Sequence, residues 1–175
     1  MLLTLETERL VLRPFEFNDA EVMYNSWASD EEVAKYLTWN AHKSIEDTKF
    51  IIDLWIKQYE KPERLNFGIT LKNDNTLIGG IDVVGYLDGT PVIGYVISRK
   101  YWNNGYVTEA CKCVLDYLFE QGYAKVRIDA VRENIGSNKV IQKCGGKLIN
   151  TIDDYVKAKN TTFKINQYEI YNNIK

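Results

Sequence analysis

The chain has 175 residues, of which 45% are hydrophobic and 26% are charged, a composition typical of one ordinary globular domain with a sizeable core. Its 22 basic and 24 acidic residues give a net charge of -2, which excludes the broad positive surface of a nucleic-acid-binding protein. No charge-free stretch exceeds about ten residues, so we expect no transmembrane helix. Charged residues interrupt the N-terminal segment before an apolar run long enough for a signal peptide, so we expect no signal peptide either. We therefore expect a single cytoplasmic domain over residues 1–175, a monomer or homodimer that binds neither membrane nor nucleic acid.

The first part of the chain predicts a strand followed by two helices. Residues 10–15 alternate at the two-residue period of a strand. Asn18 and Asp19 are good N-cap residues for a helix over 20–27, and Asp30 opens a second, shorter helix.

A third helix is predicted from its start signal. The sequence Ser44-Ile45-Glu46-Asp47 has the form of a capping box with Asp in its last position. The helix that it opens carries an apolar stripe, which we expect to face the core: Phe50, Ile51, Leu54 and Trp55. His42, the one histidine, lies in the polar connection before this helix, where an exposed or capping role is favoured over catalysis.

The middle of the chain predicts three strands in an antiparallel meander. Residues 66–71 and 76–86 are joined by an Asn-Asp-Asn turn that tolerates left-handed geometry. Residues 87–90 form an Asp-Gly turn signal, so the Val-, Ile- and Tyr-rich run over 91–98 should pair with the strand before it.

This last strand leads through a polar turn into an amphipathic helix that Gly122 ends. Apolar residues recur on one face of the helix: Val107, Ala110, Cys111, Val114 and Leu118. The turn over 102–107 presents several backbone N–H groups at the helix start, where the helix dipole favours an anion such as a phosphate. Asn and Gly also suit a plain helix cap, so this turn alone leaves both interpretations open.

The three cysteines have no pairing pattern. An odd number of cysteines suits a reducing compartment. Cys111 and Cys113 point to different faces of one helix, and with the distant Cys144 they lack the spacing of zinc ligands. We expect all three to act as small hydrophobic side chains.

After this helix the chain predicts a strand, a short helix and a closing hairpin. The strand over 125–131 follows a crossover helix, so it should lie parallel to, and beside, the strand that precedes that helix. Asn134 is an N-cap candidate, with Ser137 in the first helical turn. Weak alternation over 147–153 and 161–171 indicates the hairpin.

The polar turn resembles the phosphate loop of the GCN5-related N-acetyltransferases (GNAT), in particular the branch that includes the RimJ and RimL protein N-terminal acetyltransferases. That loop often reads YWGKGYATEA in this branch, and residues 101–110 read YWNNGYVTEA. Gly105 and the Y-x-T-E-A after it match. The residues that depart are Asn103, Asn104 and Val107.

A second segment, over residues 130–146, resembles the family pattern V-x-x-x-N-x-x-S-x-x-V-x-E-K-x-G-F. The matching residues are Val131, Asn134, Ser137, Val140, Lys143 and Gly145, and the departures are Gln142 and Gly146. The N-terminal E-T-E-R-L-V-L-R-P-F is similar to the opening strand of this branch. The segment over 18–39 would then form part of the acceptor wall and select the substrate.

The resemblance implies the α/β (α+β) fold of the GNAT family. We expect a single mixed, mostly antiparallel twisted sheet of about six to seven strands, with helices on both faces and a splayed central strand pair. It also implies acetyl-CoA as cosubstrate, and no metal ion.

In the family, the pantetheine arm lies between the splayed strands and pairs with one of them as an added strand would. The resemblance assigns this contact to Tyr95, Val96, Ile97 and Ser98. A backbone N–H near Val96 would polarise the thioester carbonyl. The pyrophosphate would lie on the loop residues, mainly on their amides: Trp102, Asn103, Asn104, Gly105, Tyr106, Val107 and Thr108. The expected cofactor site is completed by Asn134, Ser137 and Lys143.

The resemblance also suggests catalytic residues. Ser137 matches the residue proposed in RimL-like enzymes to protonate the departing thiolate, and Ile141 stands where many other members have a tyrosine. The general base is less defined, because Val92 occupies the position of a glutamate that is frequent in this branch. Asp82 is the best-placed substitute, Asp129 is a second candidate, and ordered water is a third.

The function that the resemblance implies is transfer of an acetyl group from the CoA thioester to a primary amine. The acceptor could be a protein N-terminus, an amino sugar antibiotic, a polyamine or another small amine. The alternative is a catalytically silent CoA- or acyl-CoA-binding module, because the loop departs from the family pattern and the usual carboxylate is missing.

Overall fold

The computed structural model describes residues 2–61 and 64–172. Its strands are β1 (Leu5–Glu6), β2 (Leu10–Arg13), β3 (Asn66–Leu71), β4 (Leu77–Leu87), β5 (Thr90–Ile97), β6 (Lys125–Val131), β7 (Lys147–Val156) and β8 (Thr161–Tyr171). Its α-helices are α1 (Asp19–Met23), α2 (Glu31–Ala34), α3 (Ile45–Gln58), α4 (Tyr106–Glu120) and α5 (Ile135–Lys143). A π-helical turn (Tyr24–Ala28) continues α1, and short 3-10 turns lie at Arg99–Tyr101 and Lys157–Lys159.

The strands of the described ranges form one eight-stranded sheet in the order β1-β2-β3-β4-β5-β6-β8-β7. Neighbouring strands are antiparallel except β5 and β6, which are parallel. The chain connects β5 to β6 through the crossover helix α4. The mixed, mostly antiparallel sheet is therefore confirmed. It has more strands than the six to seven expected, because the two-residue β1 is too short to give a periodic signal.

Two buried clusters cover the two faces of the sheet. Leu118 of α4 belongs to one cluster, whereas Trp27 and Ile52, from the N-terminal helical region, belong to the other. Strand β5 separates them, because Tyr95 packs against the first cluster and its neighbour Val96 against the second. The expectation of helices on both faces is confirmed.

The parallel strands β5 and β6 separate after a short pairing. Val92 pairs with Arg127, and Ile93 pairs with Ile128. Beyond Ile93 neither strand continues this ladder. A gap therefore opens between the two central strands, as expected.

Backbone groups of β5 line this gap. The Ser98 N–H donates to the Ile78 carbonyl oxygen at 2.9 Å. Because the hydrogen-bonding direction alternates along an antiparallel strand, the N–H and C=O of Tyr95 and Ile97 face the gap. The Ile97 carbonyl accepts from the indole Nε1 of Trp102 at 3.1 Å.

Gly79 permits the close approach of β4 to β5. A Cβ atom at Gly79 would lie 2.3 Å from the Val96 carbonyl oxygen and 2.9 Å from the Ile97 Cα. Both contacts are with backbone, which cannot swing aside as a side chain can. A residue without Cβ is therefore needed to hold β5 at this distance.

The structure corrects the predicted apolar stripe of α3. Phe50 and Leu54 are 68% and 41% exposed, whereas Thr48 and Ile52 are buried. Burial of Thr48 is possible because its hydroxyl oxygen lies 2.7 Å from His42 Nδ1. Helical periodicity alone did not favour the face that carries Thr48 and Ile52 over the predicted stripe, because Thr48 is polar.

A helix that is both long and apolar enough to cross a membrane does not occur in the part of the chain that the structure describes.

Candidate active site

The turn between β5 and α4 owes its shape to two residues with left-handed backbone geometry. Asn103 has φ 62° and Gly105, the N-cap residue of α4, has φ 79°. Asparagine tolerates this region better than other residues with a side chain. The departure from glycine at position 103 is therefore compatible with the turn, and backbone N–H groups remain at the start of a 15-residue helix.

An N-terminal clamp holds the start of α4. The Glu109 carboxylate accepts hydrogen bonds from Thr7 Oγ1 at 2.5 Å, from the Arg9 backbone N–H at 2.9 Å and from Arg9 Nε at 2.7 Å. Arg9 also donates to the Asn104 carbonyl at 3.1 Å and lies 4.5 Å from the centre of the Tyr106 ring. Burial raises the pKa of Glu109, but the hydrogen bonds from Thr7 and Arg9 outweigh it, so that the pKa is lowered. The clamp joins the family-like N-terminal segment to the family-like segment over residues 101–110. The sequence analysis did not predict this contact.

A cavity of about 640 Å³ extends from the β5 edge across the turn to α5. The expected cofactor residues that line it are Tyr95, Val96, Ile97, Trp102, Asn103, Gly105, Tyr106, Val107, Thr108, Asn134, Ser137 and Lys143. We call it the donor cavity. Lys35 and Lys139 also line it, and these two cations were not expected because nothing in their local sequence marks them.

The other two expected cofactor residues lie outside this lining. Ser98 is 4% exposed, with its N–H bonded to β4. The Asn104 side chain turns back to donate to the Trp102 carbonyl at 2.9 Å. The backbone N–H of Val96 also differs from expectation, because it faces β4, and the amides of Tyr95 and Ile97 face the gap instead.

A second cavity of about 620 Å³ meets the first at Tyr95 and Ser137, which line both. It lies against β4 and β5 and is bordered by the segment over 36–42. Asp82 and Asp129, the two candidate bases, both line it. We call it the acceptor cavity.

The hydroxyl groups of Tyr95 and Ser137 form a pair at the junction of the cavities. Tyr95 OH lies 2.8 Å from Ser137 Oγ and 3.2 Å from the Ser137 carbonyl oxygen. Burial raises the pKa of Tyr95 far above its ordinary value, so the phenol stays protonated. Sequence reasoning assigned only the backbone of Tyr95, because the contact joins residues 42 positions apart.

Asn138 anchors the helix that carries Ser137. Its Nδ2 donates to the carbonyl oxygens of Val131 at 2.9 Å and Asn134 at 2.7 Å. Its Oδ1 accepts from Asn166 Nδ2 at 2.9 Å and Tyr168 OH at 2.8 Å. The start of α5 is thus bound to β6 and β8. The N-cap role of Asn134 is confirmed, since its side chain accepts from the Ser137 N–H at 3.2 Å.

Asp82 is a partly buried carboxylate that lines the acceptor cavity, with 23% of its side chain exposed. Burial raises its pKa to about 6, although the Arg64 cation, 3.3 Å away, acts in the opposite direction. A Cβ atom at Gly94, directly across in β5, would lie 3.6 Å from Asp82 Oδ1. A carboxylate with a pKa near neutrality is suited to accept a proton.

The other titratable candidates are more constrained. Both carboxylate oxygens of Asp129 are held by Arg127 at 2.9 Å, which leaves fewer lone pairs for a substrate. His42 is half-buried rather than exposed, lines the acceptor cavity and bonds to Thr48. Burial lowers the pKa of His42.

The cysteines are free, and Cys111 is buried. A hydrogen bond to Cys144, together with burial, raises the pKa of Cys111. Cys144 also lies 3.8 Å from the Thr108 carbonyl. Over residues 2–61 and 64–172, His, Cys, Asp and Glu side chains form no group of three or more that could hold a metal ion.

This arrangement agrees with the known proteins that the chain resembles. Residues 9–147 match the acetyltransferase (GNAT) domain family. The uncharacterized N-acetyltransferase p20 of Bacillus licheniformis is 28% identical over 170 residues, which cover 95% of each chain. A GNAT-family acetyltransferase from Bacillus anthracis has a TM-score of 0.85 at 29% identity, over 97% of this chain and 98% of its own.

A more distant structure shares the fold. RimL, the ribosomal L7/L12 α-N-protein acetyltransferase solved with coenzyme A, has a TM-score of 0.85 at 14% identity, over 99% of this chain and all of its own. The chain therefore belongs to the GNAT acetyltransferase family and is an acyltransferase that uses acetyl-CoA as donor.

Proposed function

We propose that this chain is an N-acetyltransferase that transfers the acetyl group of acetyl-CoA to a primary amine held in the acceptor cavity. The observation that carries the proposal is the meeting of two cavities at Tyr95 and Ser137. Three lysines and one carboxylate, Glu32, border the donor cavity, whereas the charged side chains in the acceptor cavity are carboxylates, among them Asp82. A thioester at the junction would therefore extend its CoA moiety into the donor cavity, and the amine would approach its carbonyl carbon from the acceptor cavity.

The donor cavity suits the parts of CoA in order along its length. The N–H groups at the start of α4 would bind the pyrophosphate. The pantetheine arm would pair with the β5 edge that faces the gap, at the N–H and C=O of Tyr95 and the N–H of Ile97. An N–H of the same edge would donate to the oxyanion that forms at the thioester carbonyl.

Asp82 would act as the general base. Its pKa of about 6 means that it is mostly ionised at pH 7 and can still take up a proton from the amine. Its carboxylate lines the acceptor cavity, where an amine would be bound. Asp82 would therefore replace, as general base, the glutamate whose position is occupied by Val92 in this chain.

Ser137 would assist the leaving group, with Tyr95 as its partner. The amine nitrogen bonds to the acetyl carbon, the carbon–sulfur bond breaks, and the electron pair passes to sulfur. If Tyr95 donates its one proton to Ser137 Oγ, the Ser137 O–H is free to donate to the thiolate sulfur. The sulfur would take the proton of the Ser137 hydroxyl, and Asp82 would take the proton that the amine nitrogen loses. That proton would then pass through solvent from Asp82 to Ser137, so that both groups regain their starting states.

Two measurements test this function. Calorimetric titration with acetyl-CoA, beside ATP and NAD as controls, should give saturable binding of acetyl-CoA alone. Addition of primary amines should then release free CoA. Binding without release, for every amine, would favour the silent acyl-CoA-binding module.

A further inference from the structure

The outer wall of the acceptor cavity is a strap formed by residues 36–42, between α2 and α3. At its start, the Leu37 N–H donates to the Ala34 carbonyl at 3.0 Å. At its end, the His42 N–H donates to the Ala28 carbonyl at 2.7 Å. The strap is therefore tied to the N-terminal helical region at both ends.

The middle of the strap contacts the β7–β8 hairpin on the opposite side of the cavity. Asn40 Nδ2 donates to the Ala158 carbonyl at 2.8 Å. The Tyr36 ring meets the Phe163 ring edge-on, with centroids 6.3 Å apart. These contacts join the strap to the hairpin across one side of the cavity, and this side is therefore less open to an extended polypeptide than to a compact molecule.

The inner surface of the cavity is rich in aromatic side chains. Those that border it and are not fully buried are Tyr36, Trp39, Trp55 and Tyr95, whereas Phe15 and Trp27 lie in the core behind them. Phe15 and Trp55 pack together with centroids 4.9 Å apart. Aromatic faces accommodate both apolar groups and an ammonium group.

Charge further restricts the acceptor. Within the described part of the chain, the charged side chains that line the cavity are the carboxylates Asp82, Asp129 and Asp154. An ammonium group matches them, whereas a carboxylate or phosphate on the acceptor meets like charge. Arg64 and Arg127 already pair with two of the three carboxylates, so the cavity offers little charge for a second cation.

We infer that the acceptor is a small monoamine with an apolar, preferably aromatic, body, and not a protein N-terminus, an amino acid or a polyamine. This inference rests on the proposed acetyl transfer and adds the class of amine. It follows from the strap, the aromatic lining and the charges together.

Four amines test the inference: one has the inferred features, and each of the other three belongs to a class that the inference excludes. Release of free CoA is measured with 2-phenylethylamine, phenylalanine, the tripeptide amide Phe-Ala-Ala and spermidine. We expect kcat/KM for 2-phenylethylamine to exceed that for phenylalanine about a hundredfold, because of like-charge repulsion. We expect it to exceed the values for the tripeptide and spermidine by about tenfold or more.

A cavity variant and a matched control test the same inference through binding. Trp39→Leu should raise the KM for 2-phenylethylamine about tenfold and leave the affinity for acetyl-CoA unchanged, because Trp39 lines only the acceptor cavity. Phe50→Leu, at a side chain that is 68% exposed on α3, should change neither. An unchanged KM in Trp39→Leu would overturn the inference.

The outcomes separate this inference from the proposed function. Release of CoA with the tripeptide or spermidine, but not with 2-phenylethylamine, would overturn the inference and support acetyl transfer. No release with any of the four amines, from protein that binds acetyl-CoA, would overturn both.

Discussion

The pairing of Asp82 with Arg64 leads to a sharp prediction for the pH dependence of catalysis. Burial raises the pKa of Asp82 to about 6, and Arg64, 3.3 Å away, keeps it from rising further. An opposite charge this close lowers a carboxyl pKa by about 1 to 3 units. Arg64→Gln should therefore move the pKa of Asp82 to about 7 or above. At pH 6 the variant should be about fivefold or more slower than the wild type, because the base must be unprotonated to act.

The assay is the pH profile of kcat/KM for one fixed amine at saturating acetyl-CoA, read as free CoA. The ionisation of the amine contributes equally to every variant, so the shift in the acidic limb reports the enzyme. Arg127→Gln is the matched control, since Arg127 pairs with Asp129 instead. An acidic limb that stays in place in Arg64→Gln, or that moves equally in Arg127→Gln, would refute the role of Asp82 as base.

Three further predictions concern the same site. Tyr95→Phe should lower kcat at least tenfold with little change in acetyl-CoA affinity, and should cost nothing further in a Ser137→Ala background; additive losses would show that the two hydroxyls act separately. Glu109→Gln should weaken acetyl-CoA binding about tenfold by calorimetry, because it loosens the clamp on α4; unchanged affinity would make the clamp irrelevant to the donor. Gly79→Ala should lower both the thermal midpoint and acetyl-CoA affinity, because its Cβ would meet backbone at 2.3 Å, whereas Gly85→Ala, with no atom within 4 Å, should leave both close to wild type.

Signals carried by neighbouring residues were predicted well from the sequence. The capping box at Ser44 and the N-cap at Asn134 are present, and β6 spans the predicted residues 125–131. Each of these signals depends on residues within one turn or one strand. The chain itself therefore contains all the information that they require.

Signals that depend on orientation were predicted less well. Of the four residues in the predicted apolar stripe of α3, Phe50 and Leu54 are exposed, whereas Ile51 and Trp55 are half-buried. When a helix has apolar residues on several sides, its sequence does not show which side faces the core. In α3 a hydrogen bond to His42 allows the polar residue Thr48 to be buried. Position 98 was likewise expected in the donor site, but its backbone is committed to β4.

The sequence by itself determined the order of the main elements, the parallel central pair, and the polar turn that leads into α4. Only the tertiary structure decided the chemistry at the junction. Tyr95 meets Ser137 from another element, Thr7 and Arg9 reach Glu109 from the far end of the chain, and Asp82 acquires a pKa near 6. The reason is that contacts between distant residues, and the loss of water around a partly buried carboxylate, arise only when the chain is folded.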